Sequence, residues 1–211
     1  MKQHFIKQQN NNFLILFFSG WGMDENSALS IIKENYDTCI CFDYTDLTFD
    51  KSQYTNYQII DIYGWSMGVW AASLVLQSCN LPIRNSTAIN GTVYPIDLKK
   101  GIHPEIFQKT IDFLSESNLL NFYKRMCGNR QNFQKFREKT PLRSLSDLKK
   151  ELISIQKMVK ETPVPQFTWN KAIIGKNDLI FQMENQQRAW KNIKYQIVEE
   201  AHFLDFKKYV D

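Results

Sequence analysis

With 211 residues, 43% of them hydrophobic and 14% aromatic, the chain can bury one sizeable core with room for an inserted subdomain, but not two full domains. A formal charge of +4 is too mild to imply nucleic acid without a nucleic-acid motif, and the chain carries none. No apolar run reaches the length of a bilayer span, and the four cysteines show neither Cys-x-x-Cys zinc spacing nor a disulfide framework, so no metal, cofactor or membrane is expected.

The start Met1-Lys2-Gln3-His4 lacks a signal-peptide pattern, which makes a cytoplasmic location the expectation. Polar residues 8–12 read as a turn between two N-terminal strands, and residues 13–18 form a short, continuously apolar run of the kind found in buried parallel strands. Similar runs at 38–42, 58–63, 86–89, 171–174 and 195–198 predict further strands. Cys39 and Cys41 would share one strand face, and with Cys79 and Cys127 they read as core thiols. Helical spacing is expected over 26–35, with apolar Ala28, Leu29, Ile31 and Ile32, then over 67–79 and 183–192. Residues 44–57 are polar and lack a 3.6-residue period, so long loops are expected where a helix would otherwise sit. Strands alternating with helices predict an α/β fold with a mostly parallel sheet.

Residues of about 98–165 differ, with no strand-like run but helical periods at Phe107, Ile111 and Leu114, and again at Leu145, Leu148, Leu152 and Ile155. Ser144 and Asp147 have capping-box spacing, Pro141 marks a break, and Pro163 with Pro165 ends the segment. The expectation is a core made of residues 1–97 and 166–211, interrupted by an all-helical insertion at 98–165.

Between a predicted strand and a predicted helix stands Gly64-Trp65-Ser66-Met67-Gly68. A serine hydroxyl is a poor nucleophile, and a strained strand-to-helix turn exposes its Oγ while the next backbone N–H faces a developing oxyanion. Gly64 and Gly68 let strand and helix approach without a Cβ clash. Of the three histidines, His202 follows the last predicted strand, where loops beyond strand ends build the active face of an open α/β sheet. The third member must orient the imidazole. Asp178, in the turn Gly175-Lys176-Asn177-Asp178 directly after a strand, fits the chain order Ser, Asp, His better than Asp147, which lies early in an amphipathic helix. Oxyanion donors are expected from the backbone of Met67 and of Trp21, the latter within Ser19-Gly20-Trp21-Gly22.

Taken together, Phe17-Phe18-Ser19-Gly20-Trp21-Gly22, Cys41-Phe42-Asp43-Tyr44-Thr45-Asp46-Leu47 and Gly64-Trp65-Ser66-Met67-Gly68-Val69-Trp70 give a sequence that resembles the BioG-type pimeloyl-acyl-carrier-protein methyl ester esterases of biotin synthesis. Ala88-Ile89-Asn90-Gly91-Thr92, Arg125-Met126-Cys127-Gly128 and Glu200-Ala201-His202 extend the resemblance over almost the whole chain. It implies an α/β-hydrolase fold with a helical lid, cleaving a methyl ester at the far end of a pimeloyl chain carried on acyl carrier protein. It also implies Ser66 as nucleophile, His202 as base, Asp178 as acid, and Trp21 and Met67 as oxyanion donors, with Phe122 and Met126 enclosing the acyl chain. Larger α/β-hydrolases often have His-Gly where this chain has Ser19-Gly20, a departure that keeps the backbone donor but removes a loop-bracing imidazole.

Charge patterning agrees with such a partner: residues 122–161 hold 11 Lys or Arg against 4 acidic residues, a local balance of +7, which leaves −3 for the remainder. Lys124, Arg125, Arg130, Lys135 and Arg137 are the expected contacts of an acidic carrier protein. A short-chain carboxylesterase or thioesterase would use the same triad, and a catalytically silent hydrolase-fold binding protein is the alternative from another class.

Overall fold

The computed structural model describes residues 1–26 and 31–210. A strand whose consecutive residues are all apolar is satisfied only where both faces of a sheet are covered. β2 (Phe13–Phe18) is that strand, with Leu14, Ile15, Leu16, Phe17 and Phe18 all inaccessible to solvent. Parallel neighbours β3 (Tyr36–Phe42) and β4 (Ile59–Trp65) flank it, and β5 (Ile83–Ile89), β6 (Lys171–Gly175) and β7 (Lys194–Val198) follow beyond β4, each parallel to the last.

β1 (Lys2–Lys7) runs antiparallel to β3 at the opposite edge, giving the order β1-β3-β2-β4-β5-β6-β7. Residues 8–12 therefore join two strands that are separated by β3 rather than paired. β1 contains no buried residue, which suits an edge, whereas β2 could be stable only in the interior.

Side chains alternate between two cores. Leu14, Leu16 and Phe18 meet Cys39, Cys41, Ile60 and Ile62 on one face, while Ile15 and Phe17 meet Ile40, Phe42, Tyr63 and Trp65 on the other. The first face is closed by α1 (Met67–Leu76) through Val69, Ala72 and Leu76, and Met67, Trp70 and Ala71 on the same helix face a third cluster. A helix covered from two sides must be apolar nearly all round, and α1 is. It ends three residues before the expected 79, and α6 (Met183–Ala189) likewise stops short of 192.

Of the helix expected over 26–35, residues 27–30 lie outside the described residues; Asn26 and Ile31 on either side are in 3-10 turns, and 32–35 are irregular or turn. Asn35 takes φ 51° to turn the chain into β3, with Ile31 buried and Ile32 42% exposed just before it. Over residues 44–57 the chain is indeed a long loop with a single 3-10 turn at Lys51–Tyr54, and Tyr54, stacked on Phe49 at 5.5 Å, covers the sheet in place of a helix.

Between β5 and β6 lie four helices: α2 (Pro104–Asp112), α3 (Glu116–Cys127), α4 (Arg130–Arg137) and α5 (Leu145–Glu161). Side chains of Ser115, Asn129 and Ser144 accept from the backbone N–H three residues on, which starts α3, α4 and α5 where the sequence places capping residues. α2 and α5 contribute Phe107, Ile111, Leu148, Leu152 and Ile155 to the third cluster, with Trp21 and Met67. Among the described residues no helix is long and apolar enough to cross a membrane.

α1 approaches the end of β2 closely. A Cβ on Gly68 would lie 2.1 Å from the Phe18 carbonyl oxygen, and one on Gly64 would lie 2.7 Å from the Trp169 ring. Gly68→Ala is expected to cost about 3 kcal/mol or more of unfolding free energy, because backbone rather than a side chain must move. Urea denaturation measures it, and a wild-type midpoint would show that α1 can shift without loss.

Candidate active site

The parallel strands bring the loops after β2, β4, β6 and β7 to one edge of the sheet, and each brings one element of the site. Ser66 occupies the turn from β4 to α1 with φ 58° and ψ −125°, a conformation that L residues rarely adopt. The turn after β6 holds Asp178, and the loop after β7 holds His202; all three side chains are buried.

Asp178 Oδ1 accepts from the N–H groups of Ile180 and Phe181 at 2.8 and 2.9 Å, which fixes the carboxylate plane. Its Oδ2 lies 2.8 Å from His202 Nδ1 and accepts from Gln186 Nε2 at 3.1 Å. An ionised carboxylate can only accept, so Nδ1 carries the proton and Nε2 is left as the acceptor. Nε2 lies 2.9 Å from Ser66 Oγ. The arrangement can remove a proton from the hydroxyl as the oxygen attacks, and Asp178 can stabilise the resulting imidazolium.

The other expected members fall into place unequally. Met67, the first residue of α1, has an N–H without a partner in its own helix, next to Ser66. Trp21 lies in the loop after β2 and lines the same cavity as Ser66, Met67 and His202. That cavity, about 280 Å³, is also lined by Phe122 and Met126 of α3, with Ile102, Phe107, Leu152 and Ile180 making it largely apolar. Phe122 meets the Trp21 indole edge-on at 5.1 Å. Asp147 is elsewhere: exposed at the start of α5, its carboxylate accepts from Ser144 Oγ at 2.7 Å. His103 caps α2, its Nδ1 accepting from Glu105 N–H at 3.3 Å, and His4 is exposed on the edge strand.

Lys124, Arg125, Arg130, Lys135 and Arg137 are all exposed, yet they do not form one ring around the mouth. Arg125 lines the cavity, whereas Lys135 and Arg137 line two separate surface depressions beside α4. The helical spacing of the sequence cannot say which way successive helices of an insertion turn. All four thiols are free; Cys39, Cys41 and Cys127 are buried and Cys79 is partly so, and burial pushes the Cys127 thiol up to about 12.

Several residues that hold the site were not singled out as functional from sequence. Asn90, at φ 45° just past β5 and fully buried, donates from Nδ2 to the carbonyls of Ala201 and His202, both at 2.9 Å, and accepts from Gly175 N–H at 2.6 Å. Trp65 Nε1 also donates to the His202 carbonyl at 2.9 Å, and Phe203 N–H donates to the Met126 carbonyl of α3 at 2.8 Å. Phe181 lies parallel to the His202 ring at 6.1 Å. The available signal for Asn90 was an amide side chain directly after the apolar pair Ala88-Ile89 that ends β5.

A family model described as "Pimeloyl-ACP methyl esterase BioG" matches residues 1–210. The crystal structure of BioG from Haemophilus influenzae is similar to this chain at 34% identity and a TM-score of 0.89, covering 97% of this chain and 95% of that one. A Bacteroides fragilis protein named malonyl-[acyl-carrier protein] O-methyltransferase is 46% identical over 191 residues, which are 90% of this chain but 39% of that relative, so the chain spans about two fifths of its length. An esterase from Exiguobacterium antarcticum shares the fold, with a TM-score of 0.73 at 15% identity over 98% of this chain and 91% of that one.

Asn90→Ala would leave a buried N–H and weaken two buried carbonyls at once. It is expected to lower unfolding stability by at least about 2 kcal/mol. Chemical denaturation checks this, and an unchanged midpoint would mean that the loop after β7 is held by Trp65 and Phe203 alone.

Proposed function

The chain belongs to the BioG family, and from that premise we propose that it hydrolyses the methyl ester of pimeloyl-acyl-carrier-protein methyl ester, releasing methanol and pimeloyl-acyl carrier protein in biotin synthesis. The observation that carries the reading is the continuous hydrogen-bonded chain Asp178, His202, Ser66 opening into an apolar cavity. In this mechanism Ser66 Oγ attacks the ester carbonyl while His202 Nε2 takes its proton. The tetrahedral oxyanion is stabilised by the N–H groups of Met67 and Trp21. Collapse breaks the bond to the methoxy oxygen, which leaves as methanol with the proton from His202. Water then attacks the acyl-enzyme by the same route, and Ser66 is regenerated.

The apolar lining suits the substrate. A methyl ester is neutral and can be desolvated against Phe122 and Met126, whereas the carboxylate formed at turnover is costly to keep in such surroundings and favours release. Helices of residues 98–165 act as the lid over the core in this reading, and their contribution to the cavity through α2, α3 and α5 supports it. The Bacteroides relative is named for methyl transfer to a malonyl-carrier protein, the chemistry that would install such an ester, which supports a carrier-bound substrate. The local charge of +7 over residues 122–161 would attract an acidic carrier, with Arg125 at the cavity and Lys124, Arg130, Lys135 and Arg137 contributing over a wider surface.

Ser66→Ala and His202→Ala are each expected to lower turnover about a millionfold, and Asp178→Asn roughly ten-thousandfold, in proteins that remain folded. Asp147→Asn is expected to keep near-wild-type turnover; steady-state kinetics on a small methyl ester measures all four, and a large loss in Asp147→Asn with active Asp178→Asn would reassign the acid. For the carrier, Lys124→Glu with Arg125→Glu is expected to reduce kcat/KM for the carrier-bound ester far more than for free dimethyl pimelate. Exposed charges are screened beyond about 8 Å at physiological ionic strength, so raising salt should reproduce that selective loss in the wild type. Equal salt dependence for both substrates would remove the carrier-binding role of this surface.

A further inference from the structure

The loop after β2 is tied to α5 by both its side chain and its backbone. Trp21 Nε1 donates to the Leu148 carbonyl at 3.0 Å, and Gly22 N–H donates to Glu151 Oε2 at 3.2 Å. The other oxygen of Glu151 accepts from Tyr44 N–H at 2.9 Å, in the loop after β3. The Tyr44 hydroxyl in turn donates to the Ser19 carbonyl at 2.7 Å, so both ends of Ser19-Gly20-Trp21-Gly22 are reached through this one carboxylate.

Glu151 is completely buried, on the face of α5 that also presents Leu148, Leu152 and Ile155. A charge in such a position costs several kcal/mol unless it is paired and hydrogen-bonded. Arg143 pairs with it, donating at 2.5 Å, and reaches Asp43 at 3.0 Å with its other terminal nitrogen. Burial raises the Glu151 carboxyl, while Arg143 and the Tyr44 N–H oppose that shift. An apolar residue there would continue the face without this cost, so the carboxylate is explained by what it holds.

We propose that Glu151 is a positioning residue for ester hydrolysis: by anchoring Gly22 N–H and Tyr44 N–H from α5, it orients the Trp21 backbone N–H toward the oxyanion. The proposal rests on the serine-hydrolase reading above. Glu151 thus braces the loop from α5, outside the loop itself. With Gly22 N–H and the indole held on one side and the Ser19 carbonyl on the other, the intervening Trp21 N–H keeps one direction, and a donor already aimed needs no reorganisation when charge develops.

The test compares the wild type, Glu151→Gln and Glu151→Asp on dimethyl pimelate, with rates expressed per site titrated by a fluorophosphonate and with thermal midpoints recorded alongside. Glutamine preserves volume but offers one acceptor and one NH2 in place of two acceptors, so one backbone donor loses its partner. The expected result is a loss in kcat of about tenfold to a hundredfold with KM within about twofold, and an equal weakening of a boronic acid that mimics the tetrahedral intermediate. A lower thermal midpoint and a smaller titrated fraction, with unchanged kcat per titrated site, would mean a merely structural role and overturn the proposal. If Glu151→Gln does not fold, Glu151→Asp retains the charge for Arg143 and withdraws it by one methylene. The same kcat-selective loss is expected, and wild-type kcat per site would overturn the proposal. A wild-type enzyme that the fluorophosphonate does not label would instead overturn the serine reading itself, so the two failures are distinct.

Discussion

Ser66 takes φ 58° where β4 turns directly into α1, a helix packed closely on the end of β2, and the rest of the site is arranged around that point. The close packing is possible because Gly68 lies against the Phe18 carbonyl without a Cβ. Strain in a single residue is worth about 1–3 kcal/mol and persists only where its surroundings over-determine it. Here they do: α1 is buried against two separate apolar clusters, and Ser66 N–H donates to the Ile89 carbonyl at 3.0 Å. The strained turn is thus held by core packing on one side and by the end of β5 on the other.

From that point the hydrogen bonds run outward in two directions. One passes through His202 and Asp178 to the ends of β6 and β7, where Asn90, Trp65 and Gln186 keep the two loops in register. The other passes through α5, whose Leu148 carbonyl and Glu151 carboxylate hold the loop after β2. The helical insertion therefore does two things at once: α3 and α5 wall the cavity, and α5 also ties down the loop beside Ser66. A change in the position of α5 would be felt at the backbone of Trp21, not only at the cavity wall.

Sheet strands were the most legible elements, because a short run of apolar residues in β2, β4 or β6 has few solutions other than burial between two covered faces. β1 was less legible: its residues alternate in exposure, and nothing local reveals that it pairs with β3 across the chain order instead of with β2. In α5, Glu151 interrupts the apolar row of Leu148, Leu152 and Ile155, a visible irregularity whose backbone partners, Gly22 and Tyr44, lie more than a hundred residues away in sequence.

Sequence alone determined the α/β class, the order of the apolar strands along the chain and the strand-to-helix position of Ser66, since each follows from local patterning or from a turn that only glycine neighbours permit. Tertiary structure decided which histidine and which aspartate meet Ser66, because His202, Asp178 and Ser66 converge only when β4, β6 and β7 align in parallel. It also decided that Asp147 lies exposed in the first turn of α5 beside its N-cap Ser144, that Arg125 alone of the five expected basic residues lines the cavity, and that Glu151 and Asn90 hold the loops. These are long-range hydrogen bonds and helix orientations, and residue spacing along a chain carries no information about either.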